Sequence, residues 1–296
     1  MPSRLSGLSE WYRFSMNQGY QFYSVENYWR LTKGGLRPPP PKTIVLRHDV
    51  DVDIGAAKAM FSIEHQLGIT SSYYFRLSTA DLPLMRAIAA SGGEASYHYE
   101  ELATEAKTRK LRTIADVEAR LQVIRERFSN NLQSLRSSTQ LPMNTVAAHG
   151  DWMNRRLRLP NTAILESLEL RLLARIAVEA YDADLLTFVT ARYADKVCPV
   201  WWRAERIIQG ESGGPRLLDV PQTPTEAVCA GIPVIYVVLH PEQWRRGPRL
   251  HFKEQVKRIR EGLEYRFWKP MHDPATSKPH PVTREVRLKT KANVVL

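Results

Sequence analysis

Thr43-Ile-Val-Leu-Arg-His-Asp-Val-Asp-Val-Asp53 begins as an apolar run and ends in charge. Proline precedes it and Gly55 follows it, so it reads as a buried strand. Asp49, Asp51 and Asp53 share one parity, and an extended strand carries such residues to one side. Three carboxylates on the tip of a buried strand repel one another and are costly to desolvate. A cation offsets both costs, so the tip reads as a metal-centred active site. Asp53 also stands where an N-cap would open the next helix, and we assign it that role.

Working outward, strands and helices alternate. The spacing predicts a helix over Ile54–Leu67 stopped by Gly68, and a strand over 71–77. It predicts a short helix over Leu82–Ala90 closed by Gly92 and Gly93, then a strand over Glu94–Tyr99. Ile114, Val117, Leu121, Ile124 and Phe128 mark one amphipathic helix. A strand at 145–149, a helix at 164–176, strands at 185–191, 217–220 and 233–240, and a helix at 252–268 complete the pattern. Such alternation argues an α/β fold with a parallel sheet or barrel. Residues 1–40 read as an N-terminal helical extension, joined to the next segment by the proline run 38–41. Residues 41–270 read as the barrel, and 271–296 as a basic tail.

Composition narrows the function classes. Apolar content of 43% and charge of 25% are those of a soluble globular protein. The longest apolar run, 232–239, is too short for a transmembrane helix, and no secretory h-region opens the chain. Cys198 and Cys229 lack metal-type or redox-type spacing, so a cytoplasmic location is expected. The net charge of +11 points to an anionic partner. No helix-turn-helix, zinc-finger or RNP-like signature accompanies the basic clusters at 155–158, 245–249 and 253–260, so nucleic acid is not expected.

Polar residues recur at strand ends. Asp49 and Asp51 end the first strand; His98 ends the third, followed by Glu100 and Glu101; His149 precedes Gly150, and His240 precedes Pro241. Catalytic groups of α/β sheets and barrels gather at the carboxyl ends of strands. Taken singly, each histidine is as well explained by an ordinary hydrogen bond, and the Glu pair by a solvated helix start. Four strand ends closing on Asp or His are harder to ascribe to chance.

These motifs resemble the polysaccharide deacetylases of carbohydrate esterase family four, over about residues 44–244. The family's T-F-D-D-G motif is matched by Arg47-His-Asp-Val-Asp51. Its G-H-E-I-G-S-H-T-W-S-H motif is matched by Gly92-Gly-Glu-Ala-Ser-Tyr-His-Tyr-Glu-Glu-Leu102, and its Leu-x-His motif by Val238-Leu-His240. The resemblance implies a distorted (β/α) barrel and a divalent metal, zinc first. The implied activity is metal-dependent removal of an N-acetyl group from a sugar, with a role in surface-polysaccharide assembly. Asp49 would be the base, Asp51 and His98 metal ligands, and His240 the general acid. The second family histidine falls on Leu102, which cannot bind metal. His149 is the first candidate to replace it and Glu101 the second. Arg47 would hold Asp49 ionised. Trp202, Trp244, Asp195 and Glu101 are candidate substrate contacts, with Trp201 beside them. With the basic charge, a nucleotide-linked or lipid-phosphate-linked N-acetyl sugar is the expected partner.

Two alternatives stand beside this reading. Asp49-Val-Asp51-Val52 fits the D-x-D-x-[TV] signature of haloacid-dehalogenase-like phosphotransferases, which use magnesium and an Asp nucleophile. The loss of the second histidine instead suggests a degenerate deacetylase fold that binds glycan or a protein.

Overall fold

The computed structural model describes residues 4–195, 221–244 and 256, and the backbone of 202–205. The expected strand at 217–220, the helix at 252–268 apart from residue 256, the basic clusters at 245–249 and 253–260, the tail 271–296, Cys198, Trp201 and the Trp202 side chain lie outside the described residues.

Strands β1 (Gln21–Tyr23), β2 (Thr43–Val50), β3 (Ser72–Phe75), β4 (Glu94–Tyr99), β5 (Thr145–Ala148), β6 (Val178–Glu179), β7 (Ala191–Asp195), β8 (Trp202–Glu205) and β9 (Val234–Leu239) form one sheet. Its order is β6-β5-β4-β3-β2-β9-β7-β8, parallel except for the antiparallel β7-β8 pair. The sheet curls into a half-barrel, compatible with a distorted (β/α) barrel. β2 is central and buried at every position. One edge pairs with β9 over Thr43–His48; the other takes β1 at Thr43, Ile44 and Val45 and β3 from Arg47 to Val50.

Helices α1 (Arg4–Asn17), α2 (Val25–Leu31), α3 (Ile54–Leu67), α4 (Leu82–Ala90), α5 (Glu101–Arg109), α6 (Ile114–Glu118), α7 (Leu121–Thr139), α8 (Trp152–Leu157), α9 (Leu168–Leu173) and α10 (Pro224–Cys229) complete the described elements, with 3-10 turns at Asn161–Glu166 and Pro241–Gln243. α3 begins on Asp53, whose side chain accepts from the Ala56 amide, and ends on Gly68 at φ +67°, a left-handed conformation that glycine adopts without strain. No helix among the described residues is long and apolar enough to cross a membrane.

Strand parity divides the core. Outward residues such as Ile44, Leu46, Val50, Tyr73, Phe75, Tyr97 and Tyr99 pack under the helices in two clusters. Inward residues Val45, Tyr74, Ala147, Val178, Tyr236 and Val238 form a third, floored by Val25 and Tyr28 of α2. Burial of each such large apolar side chain contributes roughly 1.5–3 kcal/mol, so both faces of the sheet are anchored.

Several elements differ from expectation. The helix expected from Ile114 onward is broken at Ala119–Arg120 into α6 and α7. The helix expected over 164–176 is a 3-10 turn followed by the six-residue α9. The strand expected at 185–191 is mostly turn; Leu185 and Val189 plug the inner cluster from a loop, and the strand begins only at Ala191. β6 was not anticipated, because two residues carry no period. The segment expected as a helical extension also holds β1, which joins the sheet, and α1, whose Leu8, Trp11 and Tyr12 enter the outer core.

Candidate metal centre

The inner parity of the sheet aims Arg47, Asp49, His98 and Arg192 into the concave face. The same parity, continued one step past the strands, carries Asp51, Arg76, Glu100, His149 and His240 to its carboxyl end. Asp51, His98 and His149 each offer a ligand atom there, all within 4.8 Å of one another. His98 Nδ1 donates to the Ala147 carbonyl at 2.9 Å, so a neutral His98 would turn its Nε2 lone pair to the cleft. That Nε2 lies 3.3 Å from Asp51 Oδ1 and 3.7 Å from Asp49 Oδ2. His149 Nδ1 lies 3.5 Å from the same Asp51 oxygen. The His149 backbone is fixed on both sides: its amide donates to Tyr99 O, and its carbonyl accepts from Asn161 Nδ2.

The donor set fits a divalent cation. Asp51 Oδ1 is buried without a hydrogen-bond donor, an expensive condition that a cation relieves. Burial pushes the His149 imidazole down to about 3, against the pull of Asp51, so it is neutral and able to ligate.

Beside this cluster Arg47 Nε and Nη2 each donate to one oxygen of Asp49 at 2.7 Å, both side chains buried. Burial raises Asp49, yet Arg47 and then His98 hold it below the ordinary carboxylate value, so it is ionised. Tyr181 covers the guanidinium, its ring centroid 4.5 Å from Arg47 Cζ and 4.9 Å from Arg192 Cζ. Across the cleft His240 Nδ1 donates to Asp195 Oδ1 at 2.5 Å, and its backbone amide donates to Oδ2 at 2.8 Å. Burial lowers His240, but Asp195 first and then Asp51 and Asp49 raise it well above the ordinary value, so it is a cation.

The structure therefore brings Arg47, Asp49, Asp51, His98, His149 and His240 together. Other expected contacts lie elsewhere. Glu101 points away from the cleft, accepting from Tyr97 Oη and Asn131 Nδ2 beneath α7; burial raises its carboxyl. It is neither ligand nor substrate contact, and Leu102 beside it is core. Trp244 is buried in the outer cluster and its indole donates to Asp195 at 2.9 Å. It offers no face to a sugar, and Asp195 serves His240 rather than a substrate.

The sequence patterns do not assign Arg76 or Glu242, and take Glu100 only as half of a Glu pair. Glu100 is held by Arg76. Glu242 carries a buried oxygen without a hydrogen-bond donor, and burial and the Asp51 charge push its carboxyl up to about 8. Parity would have found Glu100: it is in step with His98, whereas Glu101 is in step with the outward Tyr97 and Tyr99. No family model matches the chain, and no curated protein or solved structure is significantly similar to it.

Proposed function

We propose that the protein is a metal-dependent hydrolase that removes an N-acetyl group from a sugar. The carrying observation is Asp51 Oδ1, buried without a hydrogen bond and 3.3 and 3.5 Å from His98 Nε2 and His149 Nδ1. Asp51, His98 and His149 would hold the cation, three protein ligands being the usual complement of a catalytic zinc site. A divalent cation bound there supplies Lewis acidity, acidifying water and polarising an acyl carbonyl.

The remaining steps fall to the chain's own residues. Asp49, ionised by Arg47 and 3.7 Å from His98 Nε2, takes a proton from the attacking water. His240, kept cationic by Asp195, gives a proton to the departing amine, which cannot leave as an anion. Tyr181, partly exposed over Arg47 and Arg192, is the aromatic surface closest to this pair among the described residues. A sugar bearing a phosphate-linked carrier suits the basic chain, with its net charge of +11.

The arrangement favours this over phosphoryl transfer. A phosphotransferase would use Asp51 to hold magnesium, which favours oxygen ligands, whereas the nearest partners of Asp51 Oδ1 are imidazole nitrogens. It would also leave the three histidines without a role.

Elemental analysis of wild type and His98→Ala tests the reading, followed by acetate release from N-acetylated sugars with and without a diphosphate carrier. About one equivalent of metal, lost in His98→Ala, together with acetate release, is the expected result. A wild type that takes up no zinc, cobalt or nickel would end the hydrolase reading in favour of a glycan-binding fold.

A further inference from the structure

Behind the three ligand atoms lies a pair of side chains that the sequence motifs did not assign. Arg76 follows β3 on the inner parity. Its Nη2 donates to Glu100 Oε1 and Oε2 at 2.8 and 2.7 Å, and its Nε to Oε1 at 3.0 Å. Its Nη1 donates to the Asp51 carbonyl at 3.2 Å. Glu100 Oε2 lies 4.0 Å from His149 Nε2, the ring nitrogen facing away from Asp51.

Glu100, His149 and Asp151 also lie within ligand reach of one another, so a second ion is the competing assignment. Charge balance argues against it. Arg76 already neutralises Glu100 through a two-pronged contact. Lys107 reaches Asp151 at 2.6 Å, and Asp151 also accepts from Met153 N as the cap of α8. Both carboxylates have cations, in contrast to the donor-less oxygen of Asp51.

We propose that Glu100 and Arg76 are positioning residues that aim His149 at the cation. Glu100 accepts the Nε2 proton of His149, which leaves the Nδ1 lone pair directed at the Asp51 side. Arg76 ties Glu100 to the Asp51 backbone, so two of the three ligands share one brace. Metal-ligating histidines commonly donate their second ring nitrogen to a carboxylate or carbonyl in this way. His98 meets the same need through the Ala147 carbonyl. The two atoms stand 4.0 Å apart, and the hydrogen bond is proposed for the cation-bound form. The inference rests on the cation reading above.

The test is cobalt(II) titration of the full chain, read by the visible spectrum and by competition with a chelator. Wild type should bind one equivalent, and His98→Ala none. Glu100→Ala should bind about 10–100-fold more weakly and shift the cobalt bands, with its unfolding midpoint retained. Glu100→Gln, which still presents an acceptor, should recover most of the affinity and the wild-type spectrum. Should Glu100→Ala fail to fold, Arg76→Lys replaces it: a lysine cannot make the two-pronged contact, and a weaker, spectrally shifted site is again expected. Equal affinity and spectra for wild type and Glu100→Ala would overturn the inference and leave the cation reading standing. Two equivalents in wild type falling to one in Glu100→Ala would make Glu100 a ligand and overturn it as well. No binding by wild type would overturn both.

Discussion

β2 carries two buried charge clusters, one on each face, separated by the thickness of a single strand. On the convex face His48 Nε2 meets Glu64 Oε1 of α3 at 2.7 Å. Glu64 also accepts from Tyr12, Ser71 and Tyr73 hydroxyls. Burial raises this carboxyl, but His48 and the hydroxyls bring it below the ordinary value. On the concave face Arg47 saturates Asp49, while Asp51 Oδ1 faces two histidines with no donor at all. Residue types are similar and burial is similar. Closure differs: the outer carboxylate has its donors within the protein, and the inner Asp51 Oδ1 has no hydrogen bond. The outer cluster holds α1 and α3 to the sheet, and the inner one has a donor set that could hold a metal ion.

Substitutions on the two faces should therefore fail in different ways. The largest effect is expected inside: Asp49→Asn should retain bound metal and lose turnover by about 10²–10⁴-fold, the range for removing a general base, in steady-state acetate release. Turnover near wild type would remove Asp49 from the chemistry. Outside, Glu64→Ala should cost about 3–5 kcal/mol in urea unfolding by leaving His48 uncompensated, with cobalt affinity of the folded fraction unchanged. Because the Glu64 pKa is depressed in the folded state, its contribution is present above the unfolded value of about 4.3. It is lost as pH falls through the folded value, so wild type and Glu64→Ala should converge in acid.

Asp195→Asn probes the link between charge and chemistry. His240 has a raised folded pKa, so its stabilisation is complete below the unfolded value of about 6.5 and is lost as pH rises through the folded value. Asp195→Asn should lose stability chiefly below that pH, and the alkaline limb of its rate profile should move to lower pH. An unmoved limb would deny His240 its role as acid. The smallest effect is expected from Trp244→Phe, which removes one of the donors to Asp195 and should cost about 1 kcal/mol with little change in turnover.

The sequence exposed what depends on period and parity. The limits of α3 and α4, the span of β4, the Asp53 cap and the inward set Asp49, Asp51, His98, His149 and His240 all follow from such patterns. Elements shaped by tertiary contact were hidden. Leu185 and Val189 are apolar because they plug the inner core, and nothing local distinguishes a plug from a strand. Trp244, a candidate substrate contact for which a core or rim place was the commoner expectation, follows the 3-10 turn after β9, where no strand parity shows which way it turns. Glu100 and Glu101 were separable in principle. The helix beginning between them reverses their surroundings, and the pair was read as one feature.

One contact pattern near the start of the chain bears on how the molecule is made. Arg4 donates to the carbonyl of Gln243, Tyr20 to that of Ile232, and Tyr12 to Glu64. Arg4 and Tyr20 thus rest against segments that flank β9, more than 200 residues along the chain. Until residue 244 has emerged, Leu8, Trp11 and Phe22 have no complete surface to cover them. Non-local closure of this kind slows folding and leaves apolar segments exposed during synthesis. The clasp of α1 on the segments flanking β9 is a contact expected to form late, with the apolar residues beneath it exposed until it does.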